Sequence, residues 1–211
     1  MSVVDAYLST ASQAAALLAK SEVDATWERP SALARMTVGG LAGHLAYQIF
    51  SVSSALEEPE SPQAPIPLLE HYARAAWIAA PLDGEVNAGI RAKGEGIASE
   101  GALSLAERAH TVLAGQQTDL AGRSGDEVVF MPQTGWALLL DDFLVTRMLE
   151  LAVHMDDLAV SVGIASQELP DAVFDPVLVL LTRLAARRHG QGALLRALTR
   201  TERAPTAINA I

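Results

Sequence analysis

The segment Asp141–Gly163 carries polar side chains at a spacing that could do chemistry. Four of them recur at i, i+3, i+7 and i+10 and so lie along one face of an α-helix: Arg147, Glu150, His154 and Asp157. Glu150 and His154 are four residues apart, which makes their side chains neighbours one turn apart. Apolar residues flank this polar stripe on both sides. The stripe therefore faces either water or a polar site inside a bundle.

A carboxylate and an imidazole one turn apart are suitable ligands for a divalent metal. His44, on a second predicted helix, completes a set of two histidines and one carboxylate with Glu150 and His154. Three protein ligands leave at least one coordination position open, which is typical of catalytic rather than structural metals. Asp157 is placed to accept a hydrogen bond from an imidazole N–H. Arg147 could balance the carboxylates or bind an anionic substrate.

A simpler interpretation fits the same spacing. Glu-x-x-x-His is common on helices, and a histidine on an apolar face, such as His44, more often fills a core than binds a metal. Arg147 and Glu150 could form an ordinary surface ion pair of little energetic worth. The remaining histidines are interpreted as structural or exposed residues: His71, His110 and His189.

The composition favours helices as the elements that position these side chains. Half of the 211 residues are hydrophobic, only 5% are aromatic, and Ala and Leu dominate, so we expect an all-α fold. Thr37 is predicted to cap one helix, and a short extended piece is predicted at Val128–Met131. Hydrophobic periodicity predicts helices at Val3–Lys20, Val38–Leu56, Leu68–Ala80, Glu85–Ile97, Gly101–Ala121, Asp141–Gly163, Ala172–Arg188 and Gly192–Thr201.

Connections and breaks follow from prolines and glycines. We expect Ser21–Arg35 to be a connection, Glu57–Pro67 a Pro-rich loop, and Trp136 to lead into the helix of the polar stripe. The pair Gly39-Gly40 indicates close approach by a neighbouring backbone. The helix after Ala172 is expected to open near Asp175-Pro176, and Ala204–Ile211 is expected to be a surface tail. Together the helices predict a single domain, with a bundle at about 1–165 and a helical extension at about 166–211.

Charge and cysteine content exclude several functions. A net charge of −10 argues against a nucleic-acid partner, which would need clustered Lys and Arg. Met36–Leu56 lacks charged side chains but contains His44 and Gln48, so we expect a buried helix and no membrane segment. The N-terminus lacks the pattern of a signal peptide, which predicts a cytoplasmic protein. Without any cysteine, a thiol in the reaction must come from a cosubstrate.

Two motifs resemble those of the mycothiol-dependent maleylpyruvate isomerase family, part of the DinB-like superfamily. MTVGGLAGHLA at Met36–Ala46 resembles the segment Trp-Thr-Val-x-x-Leu-x-x-His-Leu, and Thr146–Gly163 resembles the signature Arg-x-x-Glu-x-x-x-His-x-x-Asp-Leu. The ending RRHGQGALLRALTRTERAP resembles the family's C-terminal helix pair. Met36 stands where Trp is frequent, and Pro59–Gly135 is the least diagnostic part. The resemblance implies a DinB-like four-helix bundle with additional C-terminal helices.

The resemblance also implies ligands and cofactors. It identifies His44, Glu150 and His154 as ligands of a divalent metal, Zn²⁺ above all. Because nitrogen and oxygen sites also have a high affinity for Ni²⁺, Ni²⁺ is expected in some purified material. In this family the metal is thought to bind and activate the thiol of mycothiol. Arg147 and Asp157 are then candidates for the catalytic pocket, and Trp136 is a candidate for cofactor binding.

These observations lead to a metal-dependent, mycothiol-using transferase or isomerase acting on a small electrophile such as a maleylpyruvate-like acid. The isomerase proper continues into an additional C-terminal domain, for which we expect no counterpart here, so the resemblance implies the metal site more directly than the isomerase activity. A metal-dependent hydrolase and a non-catalytic, metal-binding or regulatory module are the alternatives. The expected partners are mycothiol and the electrophile, and a homodimer is the assembly to test.

Overall fold

The computed structural model describes residues 1–58 and 63–211. Within this part of the chain, ten α-helices and two strands follow one another, and a short 3₁₀ turn, Thr201–Arg203, ends them. In chain order they are α1 (Val3–Leu18), α2 (Ser21–Ala25), α3 (Val38–Glu57), α4 (Leu68–Arg74), α5 (Ala76–Ala79), α6 (Glu85–Ala98), α7 (Ala102–Asp119), β1 (Val128–Met131), β2 (Trp136–Leu139), α8 (Leu140–Val162), α9 (Asp171–His189) and α10 (Gln191–Thr199).

Four helices form the bundle, α1, α3, α7 and α8, and α1 and α3 each pack against the other three. The all-α prediction is confirmed. Large side chains from these helices fill the core between them, among them Tyr7, Leu41, Phe143 and Met148. Helix α6 lies along α3, while α9 packs on α1 and α8 and carries α10. No helix within residues 1–58 and 63–211 is both long and apolar enough to cross a membrane.

Thr37 caps α3 as predicted, because its hydroxyl accepts a hydrogen bond from Gly40 N at 2.9 Å. The same hydroxyl donates to Glu95 of α6 at 3.0 Å, which ties the two helices together at this end. The close approach predicted at Gly39-Gly40 involves two side chains and, at Gly40, also the backbone of α6 at Gly94. Gly39 faces the Trp27 ring and Gly40 faces the Glu95 carboxylate.

The backbones of α3 and α6 also approach one another one turn further along α3, at Gly43. A Cβ atom there would collide with the carbonyl oxygen of Gly94 on α6. A Cβ atom at Gly94 would in turn lie 2.6 Å from the carbonyl oxygen of Gly40 and 3.4 Å from the Cβ of His44. The two backbones therefore touch beside His44, and α6 supports α3 where that histidine projects.

A two-stranded antiparallel hairpin precedes α8. Strand β1 confirms the extended piece predicted at Val128–Met131, and it pairs Val128 with Leu139 and Met131 with Trp136. Trp136 leads into α8 as expected, but through a strand that was not predicted, since Trp136–Leu139 forms β2. Four apolar residues fit a strand and a buried helical turn equally well, and only pairing with β1 decides between them.

Several other boundaries differ from the predictions. The expected helix Leu68–Ala80 is interrupted at Ala75, whose ψ of 102° is extended and separates α4 from α5. The connection Ser21–Arg35 contains the short helix α2. Helix α9 opens at Asp171 after Pro170, so Pro176 lies inside it instead of at its start. Of the predicted loop Glu57–Pro67, residues 59–62 lie outside the described part.

The predicted surface tail Ala204–Ile211 is only partly exposed. Ala210 and Ile211 pack against the core as partly buried residues. The carbonyl oxygen of Asn209 lies 2.9 Å from His189 Nε2, at the end of α9. The last residues of the sequence thus fold back onto α9.

The glycine contact predicts a large difference between two Gly→Ala changes. Gly43→Ala should lower the free energy of unfolding by about 1–3 kcal/mol, because the backbone of α6 must move to admit a methyl group. Gly89→Ala, on an open face of α6 with nothing within 4 Å, should raise it by about 0.5–1 kcal/mol through helix propensity. Urea unfolding measures both, and equal effects would show that α3 and α6 do not touch at Gly43.

Candidate metal centre

Helices α3 and α8 bring His44, Glu150 and His154 together. Each offers one ligand atom, and these three atoms lie within 4.8 Å of one another. The rings of His44 and His154 meet edge to face with centroids 4.6 Å apart. Glu150 Oε2 lies 3.3 Å from His154 Nε2, and each of these side chains is only 15% exposed. The polar stripe of α8 therefore faces α3 inside the bundle, and a small opening to solvent remains.

Asp157 fixes the orientation of His154. Its Oδ2 lies 3.0 Å from His154 Nδ1, which leaves Nε2 directed toward Glu150. In the neutral imidazole, Nδ1–H then donates to Asp157 and the Nε2 lone pair is available to a cation. The predicted contact between Asp157 and an imidazole is present, and the supporting role of Asp157 stays a prediction. It is also the arrangement that a metal-binding histidine requires.

The charges of the site compensate one another within the chain itself. Burial raises the pKa of Glu150, but the hydrogen bond and charge of His154 and the charge of Arg147 override burial and bring the pKa to about 2. Burial lowers the pKa of His154, but hydrogen bonds to Asp157 and Glu150 raise it to about 9. Without a metal, Glu150 is thus a carboxylate paired with an imidazolium. A divalent cation would replace that proton.

His44 remains neutral in the same surroundings. Burial, followed by the positive charge of His154, lowers the pKa of His44 to about 4. A neutral imidazole keeps a lone pair for a cation at physiological pH. The three residues present two imidazole nitrogens and one carboxylate oxygen, a donor set that suits Zn²⁺. The side chains present therefore fit a divalent metal.

Gln48 joins Arg147 to His44, a role that the sequence analysis missed. Its Oε1 accepts a hydrogen bond from Arg147 Nη1 at 2.5 Å, and its Nε2 donates to the carbonyl oxygen of His44 at 3.1 Å. Gln48 is only 2% exposed. The sequence signal that could have identified Gln48 is its position one turn after His44 on the buried face of α3. Arg147 also donates to Thr146, and no ion pair joins Arg147 to Glu150 among the described residues.

Trp136 contacts His71 and Arg74 instead of the three candidate ligands. Its Nε1 donates to His71 Nδ1 at 3.1 Å, and the Arg74 guanidinium lies over its ring. The role predicted for Trp136 in cofactor binding stays a prediction. His71 is buried, with 7% exposure. Of the other two histidines, His110 is exposed and His189 is half-buried at the end of α9.

Two grooves lie on the other faces of α8. One of about 460 Å³ runs between α1 and α8, and one of about 500 Å³ runs between α8 and α9. The second groove is lined partly by Asp157, whose carboxylate contacts His154. The Asp157 side chain therefore connects this groove to His154, one of the candidate metal ligands.

The chain matches the family described as Mycothiol maleylpyruvate isomerase N-terminal domain over residues 8–159. The chain belongs to this family. The matched region contains α3 and α8 and therefore all three candidate ligands. Helices α9 and α10 follow it. A comparison with curated proteins finds no significant match.

Two solved structures have a similar fold. Both are crystal structures of the mycothiol-dependent maleylpyruvate isomerase, one of them a histidine-to-alanine mutant. The TM-scores are 0.54 for the mutant and 0.55 for the other structure, at 15% and 16% identity. Each similarity covers 91% of this chain and 75% of the other. Identity this low shows a shared fold, which is the one implied by the family resemblance.

The contact between Asp157 and His154 predicts an effect on metal affinity. Asp157→Asn should weaken Zn²⁺ binding about 10–100-fold, because the imidazole loses the carboxylate that orients it and increases its basicity. Asp156→Asn is the matched control, since it removes the same charge from the adjacent, exposed residue of α8. Competition with a chelating dye measures both affinities. Equal weakening by the two changes would mean that only the net charge matters.

Proposed function

We propose that this chain is a divalent-metal-dependent enzyme that uses mycothiol to transfer sulfur to, or isomerise, a small electrophile such as a maleylpyruvate-like acid. The observation that carries the proposal is the meeting of His44, Glu150 and His154 between α3 and α8. Membership of the mycothiol maleylpyruvate isomerase family supports the choice of thiol. The absence of cysteine from the chain fits an enzyme that takes its thiol from a cosubstrate.

In this proposal, His44, Glu150 and His154 hold the metal, for which Zn²⁺ is the best fit to their nitrogen and oxygen atoms. When bound, the cation supplies a positive charge that keeps a coordinated thiol deprotonated near neutral pH. Glu150 contributes a permanent negative charge, and Asp157 retains the Nδ1 proton of His154. Three ligands from the chain leave room for the mycothiol sulfur.

The chemistry proposed is addition of a thiolate to a conjugated carbon–carbon double bond. The sulfur lone pair forms a C–S bond, and the π electrons of the double bond move toward the conjugated carbonyl oxygen. In an isomerisation, rotation about the resulting single bond precedes return of the electrons and departure of the sulfur. In a transfer, a proton adds to carbon instead and the C–S bond remains. Arg147 is placed beside Glu150 to attract a carboxylate of the electrophile.

Metal content tests the ligand set. The dialysed wild-type protein should contain about one divalent metal per chain, and His154→Ala should lose it, because two remaining ligands bind weakly. His110→Ala is the matched control, since His110 is exposed on α7 and should leave the metal content unchanged. Elemental analysis measures all three samples. A wild-type protein that also fails to take up added zinc would contradict the proposal.

Thiol dependence separates the proposed function from its alternatives. The metal-loaded protein should convert an electrophile only when mycothiol is present, and Glu150→Gln should lower turnover by about 10²-fold or more through loss of the metal. Turnover without thiol would indicate a hydrolase. Metal binding without turnover of any electrophile would indicate a non-catalytic module. Both outcomes would leave the metal site intact while removing the proposed activity.

A further inference from the structure

Helix α10 leaves much of its apolar surface in contact with water. It packs against α9, and none of its nine residues is buried. Leu195 and Leu198 are 63% and 70% exposed, and their spacing of three residues makes them neighbours on the helix surface. A helix of this length is marginal on its own in water. Two adjacent exposed leucines on such a helix indicate a surface that a partner covers.

The same end of the chain is basic. Residues 181–211 contain six arginines and one glutamate, whereas the whole chain has a net charge of −10. Arg196 follows Leu195 directly and is exposed as well. It forms no ion pair within residues 1–58 and 63–211. The outer surface of α10 therefore suits a partner surface that is both apolar and acidic.

The groove between α8 and α9 has this complementary character. Apolar side chains line much of its volume of about 500 Å³, among them Val153, Phe174 and Leu181. Phe174 is 47% exposed, so the groove is open to an incoming side chain. Two exposed carboxylates, Asp156 and Glu168, also line it. Like Arg196, Glu168 has no ion-pair partner in the part of the chain that the structure describes.

We propose that the groove between α8 and α9 receives helix α10 of a second copy of this chain, and that two chains form a dimer in this way. In the dimer, Leu195 and Leu198 of each copy enter the apolar groove of the other copy, in the manner of a helix that binds in a groove. Arg196 of each copy then faces the carboxylate of Glu168. A second copy is the partner chosen because one chain carries both complementary surfaces.

Two-fold symmetry allows the exchange to occur in both directions. Each copy gives one helix and accepts one helix, which closes the assembly at two chains. The exchange covers the exposed leucines and the groove twice, and a stable interface needs a total buried area of about 1,200–2,000 Å². Asp157 also lines the groove and contacts His154. The contact between the copies would therefore lie next to the candidate metal centre, although it requires neither the metal nor the thiol of the proposed function.

Leu198→Glu and Leu103→Glu test the apolar part of the contact. Leu103 is the matched control, because it is a leucine of α7 that is 74% exposed. The wild type should sediment as a dimer, and Leu198→Glu should raise the dissociation constant about 30-fold or more, the effect of losing a central interface residue. Leu103→Glu should dimerise like the wild type. Sedimentation equilibrium measures the constants, and an unchanged Tm for both variants checks that the fold is intact.

A charge exchange tests which surfaces meet. Arg196→Glu alone and Glu168→Arg alone should each weaken the dimer about 10-fold or more, because each variant places like charges opposite one another in both contacts. An equal mixture of the two variants should dimerise like the wild type. In the mixed dimer, each contact again joins one positive and one negative side chain. Sedimentation equilibrium on the two separate variants and on their mixture measures this restoration.

Each result decides between this dimer and its alternatives. A wild type that stays monomeric at every concentration would overturn the inference, and binding of that monomer to phosphatidylserine vesicles would assign α10 to a membrane surface instead. Open-ended assemblies would contradict the closed exchange. Equal weakening by Leu198→Glu and Leu103→Glu would show that α10 is not the contact. Charge reversals without effect, or a mixture that fails to restore the dimer, would show that Arg196 and Glu168 do not meet.

Discussion

The site depends on a carboxylate that is almost entirely withdrawn from water between two helices. A buried charge is tolerated only where it is paired and hydrogen-bonded, and Glu150 obtains both from His154 on its own helix, with His44 facing it from α3. The approach of His44 to this pair requires α3 and α8 to stay close at one level of the bundle. The glycine contact at Gly43 supports α3 beside His44. The glycine packing between α3 and α6 and the pairing of Glu150 with His154 therefore both support the place where the three candidate ligands meet.

The same features give the site its chemistry. A protonated His154 balances Glu150 when no metal is present, so the bundle folds with a preorganised pair that a divalent cation can take over by displacing one proton. Asp157 determines which nitrogen of His154 faces the site. Gln48 and Thr146 accept hydrogen bonds from the Arg147 guanidinium, whose charge also lowers the pKa of Glu150. In a chain without cysteine, these residues define a place for a borrowed thiol.

Local sequence patterns predicted the helices and the three candidate ligands, because helical periodicity and i,i+4 spacing are properties of short segments. Of the hairpin, only β1 was predicted. Strand β2 forms because it pairs with β1, whereas its own four residues fit a strand and a helical turn equally well. Gln48 could not be assigned to the site in advance. Its hydrogen bond with Arg147 crosses the bundle and joins residues that are distant in sequence. The close approach at Gly43 is another such long-range contact.

X-ray absorption at the zinc edge of the zinc-loaded protein, before and after addition of mycothiol, tests the metal centre most directly. We expect scattering from two imidazoles at about 2.0–2.1 Å with oxygen in the remaining positions, and a new sulfur neighbour at about 2.3 Å once mycothiol is added. A spectrum without imidazole scattering would show that His44 and His154 are not the ligands. Imidazole scattering with no sulfur after addition would show that the metal does not bind the thiol.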